Sequence, residues 1–279
     1  MERVRADPLL GFYGPTSVMW HINREAVLLG AGPAALLLQI AHPLVAEGVA
    51  QHSTFERDPF SRLRGTLLTT MDLVFGDGPT AERAVRRLNS VHADVRGEVA
   101  DPDAQRLADS YRALDPELLL WVQATLIKTS VEAYRRWVRP LSAIDRERFW
   151  QEARSVGVRL GIPLSLSPVD WPALNDYWLR MLSDDGPIHP TPTARRLSEL
   201  IVRPPLPLVP GSLVDLLTLP GLALLPPRLR DEFGIDWNGR KASGAQAIDV
   251  AVRSWVRVVP GRLRRMPQAN AAYRRVALA

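Results

Sequence analysis

The placement of proline constrains this chain more than any other feature. The sequence holds 24 prolines in 279 residues, several beside a residue that caps helices, as in Asp58-Pro59 and Asp115-Pro116-Glu117. Proline has no amide hydrogen and a fixed φ, so it suits a helix's first turn and breaks its interior. An aspartate or serine side chain just before it accepts from the first free amides. These signals predict a helix from Pro59 to the Gly76-Asp77-Gly78 turn, and a second from Pro79-Thr80 through Arg96 to Gly97. A third runs from Leu118 to about Val138. A fourth is capped by Ser142 or Asp145 and ends at Gly161, and shorter ones cover 169–182, 193–201, 212–219 and 244–258. The proline-rich stretch 204–210 must be extended. No series of period-two strands occurs. The expected fold is all-α: one domain over 1–279, with an N-terminal arm to about 20 and a C-terminal helical tail from about 260.

The chain is 46% hydrophobic and 23% charged, which suffices for a sizeable core. The absence of cysteine excludes disulfides, thiolate nucleophiles, zinc–thiolate and iron–sulfur sites, and thiolate-ligated haem. The formal charge of +5 comes almost wholly from arginine, part of it near the C-terminus in Arg262, Arg264, Arg265, Arg274 and Arg275. No basic motif interleaved with aromatics appears, so nucleic acid is not an expected partner. Peripheral contact with a membrane surface is compatible with the charge. The most apolar stretch, 26–49, is interrupted by Gly30, Gly32, Pro33, Gln39, His42, Pro43 and Glu47, and so predicts a buried helix pair and not a span. With no charged-then-apolar leader at the N-terminus, a soluble cytoplasmic protein is expected.

In the helix from Thr80, Ala81, Val85, Leu88 and His92 recur at spacings of four, three and four and share one face. By spacing alone, a histidine on such a face is more often a hydrogen-bonded core residue than a ligand. On the preceding helix Arg62 and Thr66 lie one turn apart, a pairing that suits an anion, a carbonyl or dioxygen, or simply a solvated arginine beside a helical threonine. His42, Glu47 and His52 offer a conceivable metal set, but without HxxxH or HExxH spacing. No nucleophile elbow, P-loop or dinucleotide fingerprint is present. Asp184-Asp185-Gly186 reads as a turn.

Taken together, the run from Leu36 through Gln39, His42-Pro43 and Gly48 to His52-Ser53-Thr54-Phe55, followed by Asp58-Pro59, Arg62-Leu63 and Thr66, resembles the MpaB-type oxygenase family. That family includes the catalytic domain of rubber oxygenase. The likeness continues through Phe75-Gly76, Val91-His92-Ala93-Asp94-Val95-Arg96-Gly97, Trp121 to Leu126, Arg139-Pro140-Leu141-Ser142 and Leu160-Gly161-Ile162-Pro163, and near Leu225-Pro226. The resemblance implies a globin-like helical core holding haem b. It makes His92 the proximal iron ligand and sets Arg62 and Thr66 at the opposite, distal side. It further implies an oxygenase acting with O2 on a lipophilic small molecule, isoprenoid-like or a secondary metabolite.

Two positions depart from the family. A lysine that precedes the threonine in rubber oxygenases, and can serve there as sixth iron ligand, is Gly65 here. A frequent histidine in the Trp-Val-x-Ala-Thr-Leu stretch is Gln123. Both point away from polyisoprene as substrate. The alternatives are a non-catalytic haem carrier or gas sensor, and a helical scaffold that has lost haem.

Overall fold

The computed structural model describes residues 5–52, 59–204 and 209–279, with the side chains of 59–63 outside that description. The expectations on Ser53, Thr54 and Phe55, on Asp58 as a cap, on the Arg62 side chain, and on 205–208 therefore fall outside the described residues. In chain order the helices are α1 Val18–Asn23, α2 Gly32–Ile40, α3 Pro43–His52, α4 Pro59–Phe75 and α5 Gly78–Asp94. After a short ribbon, β1 Arg96–Glu98 and β2 Ser110–Arg112, come α6 Pro116–Trp137, α7 Ala143–Gly157, α8 Trp171–Met181 and α9 Pro192–Val202. The remainder are α10 Gly211–Leu222, α11 Pro227–Glu232, α12 Gly239–Val258, α13 Gly261–Arg264 and α14 Pro267–Ala277. The chain is predominantly helical.

Two caps act as the sequence predicts: Asp115 accepts from Glu117 N and Ser142 from Asp145 N. Asp170 and Thr191, which the sequence did not single out, cap α8 and α9 in the same way through Ala173 N and Ala194 N. Each satisfies an amide that the helix itself leaves unpaired. Gly161 closes the 3-10 turn after α7 at φ 103°, a left-handed backbone that glycine adopts without strain.

One expectation needs correction. Arg96 and Gly97 do not continue α5; they form β1, which pairs antiparallel with β2 in the register Arg96–Arg112, Gly97–Tyr111 and Glu98–Ser110. The reason lies across the ribbon. A Cβ at Gly97 would stand 2.9 Å from both the Tyr111 hydroxyl and Gln51 Oε1. The glycine therefore permits a close crossing and does not merely end a helix.

Helix α6 is the axis of the core, with Leu120, Trp121, Ala124, Tyr134 and Trp137 buried along it. On one side it meets a cluster around Trp20, Phe75, Phe149 and Trp150. On the other, Trp121 joins Leu37, Leu38, Leu197 and Leu229. Burying an indole requires a partner for its N–H. Trp20, Trp121 and Trp150 donate to the carbonyls of Val74, Leu38 and Pro168. Helices α2 and α3 form the expected buried pair. Among the described residues no single helix is long and apolar enough to cross a membrane; Ala26–Ile40 and Pro43–His52 reach that length only together, bent by 106°.

Trp137 Nε1 instead donates to a carboxylate, Asp249 of α12, at 2.6 Å, and the neighbouring Arg136 Nε donates to the other oxygen at 2.5 Å. Asp249 is buried and ties α12 to α6. Asp249→Ala leaves both donors without that acceptor. Urea unfolding is expected to show a loss of about 2–3 kcal/mol, with Asp249→Asn, which keeps one acceptor, losing less.

Candidate functional site at the seam of two helices

Helices α4 and α5 form an antiparallel hairpin whose turn is held from outside. Gly78 N donates to Pro8 O, and a Cβ on Gly78 would stand 2.6 Å from Asp7 O. Gly11, at φ 75°, presses on Gly76 in the same way, its would-be Cβ 2.2 Å from Gly76 O. From α14, Arg275 donates to both Leu9 O and Phe75 O. Asp77 caps α5 through Thr80 N. Residues 7–11 and α14 thus converge on this turn.

Away from the turn the seam opens. On α5, Ala81 and Val85 are buried, whereas Leu88 and His92, further along the same stripe, are half-buried. On α4, Leu73 and Thr69 are half-buried and buried, and Thr66, on the same helical face, is exposed. Arg62 precedes Phe75 by 13 residues and His92 follows Gly78 by 14. At about 1.5 Å per residue both backbone positions lie about 20 Å from the turn, with Thr66 about 14 Å away. Counted along each helix, Arg62, Thr66 and His92 therefore all lie toward the ends of α4 and α5 that are away from the turn. A Cβ at Gly65 would meet nothing within 4 Å, so packing does not impose the glycine there.

Helix α5 is pinned so that its last turn is fixed. Glu82 pairs with Arg159, and Asn89 Nδ2 donates to Arg159 O at 3.0 Å. Beyond His92, Val95 N returns to His92 O and Ala113 N donates to Val95 O, which leads the chain into the ribbon. The ribbon is fastened to α3. Buried Glu47 accepts from Gln51 Nε2 and Ala100 N, Gln51 also donates to Glu98 O, and the Tyr111 hydroxyl donates to Gln51 Oε1 at 2.8 Å. Sequence reasoning did not find this network; the Glu47–Gln51 spacing of four, facing a glycine, was its only local trace.

The other candidates have different duties. His42 and His52 stand at opposite ends of α3, about 15 Å apart, and His52 Nε2 bonds to Arg96 O. With Glu47 engaged by Gln51, these three residues do not converge. Among the described residues no group of three histidines or carboxylates could hold a metal ion. Gln123 donates to Ala153 O at 2.9 Å and packs on Gly157, joining α6 to α7. Two clefts lie elsewhere. One of about 300 Å³ runs between the 165–169 loop and α8. The other, of about 200 Å³, includes His21, Tyr134, Arg139 and Arg148. Neither is lined by His92.

His42 is buried with no hydrogen-bond partner for Nδ1 among the described residues. Burial foremost, then the neighbouring His189, holds its imidazole neutral, down to about 4 from 6.5. The unfolded chain therefore takes up the proton first as pH falls. Stability from this group is complete above about 6.5 and is lost progressively as pH drops to about 4. The loss is about 3 kcal/mol. Chemical denaturation across that window is expected to show it, and His42→Gln is expected to flatten the slope.

Comparison with known proteins bears on the hairpin. The family described as ER-bound oxygenase mpaB/B'/Rubber oxygenase, catalytic domain, matches residues 19–260, which contain both helices of the seam. Two similar relatives are uncharacterized proteins of Mycobacterium bovis and Mycobacterium tuberculosis. Each is 31% identical over 168 residues, 56% of this chain and 62% of the relative. The likeness thus spans less than two thirds of each relative's length. No solved structure matches the chain.

Proposed function

The chain belongs to the mpaB/rubber oxygenase catalytic-domain family, and from that premise we propose that it is a haem b-dependent oxygenase acting with O2 on a lipophilic small molecule. The observation that carries the reading is the open end of the α4–α5 seam, toward which half-buried His92, Arg62 and Thr66 all lie. The globin-like character of the core is part of the same proposal.

The residues present fit a haem. No cysteine competes as a thiolate ligand. His92 lies at the end of a helix pinned by Glu82, Asn89 and the ribbon, and a ligand held this way loses little freedom on binding. When bound, haem b supplies the iron at which dioxygen is held and reduced.

His92 would hold the iron through a neutral imidazole nitrogen. Arg62, cationic at any working pH, would stabilise negative charge developing on oxygen from the facing helix, and the Thr66 hydroxyl would donate a hydrogen bond there. Leu88, the apolar seam residue one turn before His92, suits a lipophilic substrate better than a charged one.

Purified with a haem supply, the protein is expected to show a Soret band that shifts on reduction and on carbon monoxide binding. Substrate-dependent oxygen uptake separates a catalyst from a carrier or sensor. Arg62→Ala is expected to keep the band and lower uptake by about 100-fold, the scale of losing one charge-stabilising donor. A colourless, folded protein overturns the proposal. Position 65 gives a further check. Gly65→Lys, whose Cβ meets nothing within 4 Å and which is favoured in a helix by about 0.5–1 kcal/mol, is expected to turn the ferric spectrum toward six-coordinate low spin.

A further inference from the structure

The last thirty residues, 250–279, contain seven arginines and no aspartate or glutamate. Within them the end of α12 is amphipathic in an inverted sense. Its inner face, with Asp249 and Val256, is buried. Its outer face repeats Val250, Ser254 and Val258 at spacings of four, all exposed, with exposed Trp255 beside them. Val258 is 82% exposed, and Leu263 on α13 is 76% exposed. Large apolar side chains presented to water in one stretch call for a partner. Arg253, Arg257 and Arg262 are exposed along the same stretch; Arg253 also donates to Arg136 O.

We propose that this face, the end of α12 with α13, docks on an anionic lipid surface. An apolar stripe rimmed by arginines lets valine, leucine and tryptophan enter the headgroup region while guanidinium groups meet lipid phosphates. A second copy of the chain would bring the same uncompensated cations face to face, which charge disfavours. Another exposed apolar patch, Leu213, Leu216 and Leu217 on α10, has as its only charged residue within the helix Asp215, and the Asp215–Arg203 ion pair gives it no net positive charge to meet an anionic surface. Docking stands independently of the haem proposal, since none of these residues belongs to the α4–α5 seam.

Flotation of the full chain with vesicles tests it. The protein is expected to float with vesicles containing phosphatidylglycerol, to do so weakly with phosphatidylcholine alone, and to be released by salt. Arg257→Glu/Arg262→Glu and Val258→Asp/Leu263→Asp are each expected to lower partitioning by about tenfold or more, with unchanged thermal melts because all four residues are exposed. Leu213→Asp/Leu216→Asp is expected to bind like the parent. Absence of flotation at low salt overturns the proposal, as does parent-like binding by either α12–α13 variant. Equal binding to neutral vesicles removes the charge argument. Competition by a polynucleotide, with Val258→Asp/Leu263→Asp still bound, would identify a general polyanion surface instead.

Discussion

Everything at the proposed site depends on the closed end of the α4–α5 hairpin. The backbone of residues 7–11 lies so near the turn that a side chain at Gly78 would meet Asp7 O and one at Gly11 would meet Gly76 O. Arg275 then joins that segment to Phe75 from the far end of the sequence. A turn clamped from two sides fixes the angle between the helices, and a fixed angle lets the seam be tight at Val85 and open at His92. A loose turn would let the helices close fully and bury the open end.

The second constraint acts at the other end of α5. A helix terminus ordinarily frays; here the polar network of Glu47, Gln51 and Tyr111 holds the ribbon that follows it. Since the network is anchored on α3, and α3 packs with α2 against α9, the position of His92 is tied to the core. The Asp249 clamp does the same for α12. Its effect reaches outward, because it sets which face of α12 is buried and so which face carries Val250 and Val258 to solvent.

Local chemistry made most helices legible. Asp115-Pro116 and Ser142 are caps whose signal sits within three residues of the amide they serve, so sequence alone locates them; Asp170 and Thr191 are caps of the same kind that the helix bounds 169–182 and 193–201 passed over. The β1–β2 ribbon was not legible, because what shapes Gly97 is the Tyr111 ring fourteen residues later and Gln51 from α3. The helices after Gly234 were only partly foreseen: Pro267–Ala277 begins with a proline but its capping position, Met266, offers no side-chain acceptor. For the site, periodicity put His92 on the apolar stripe of α5, which is buried at Ala81 and Val85 and half-buried at Leu88 and His92. Its role as a ligand came from resemblance, since a stripe looks the same whether a histidine packs or coordinates. His42, Glu47 and His52 show the converse: close in sequence, they are separated by the straightness of α3.

The claim on which the functional reading turns is coordination by His92, and imidazole rescue addresses it directly. The haem reading predicts that His92→Gly, supplied with haem, loses most of its Soret absorbance and iron content, and that added imidazole restores both. An undiminished band in His92→Gly, insensitive to imidazole, would contradict it.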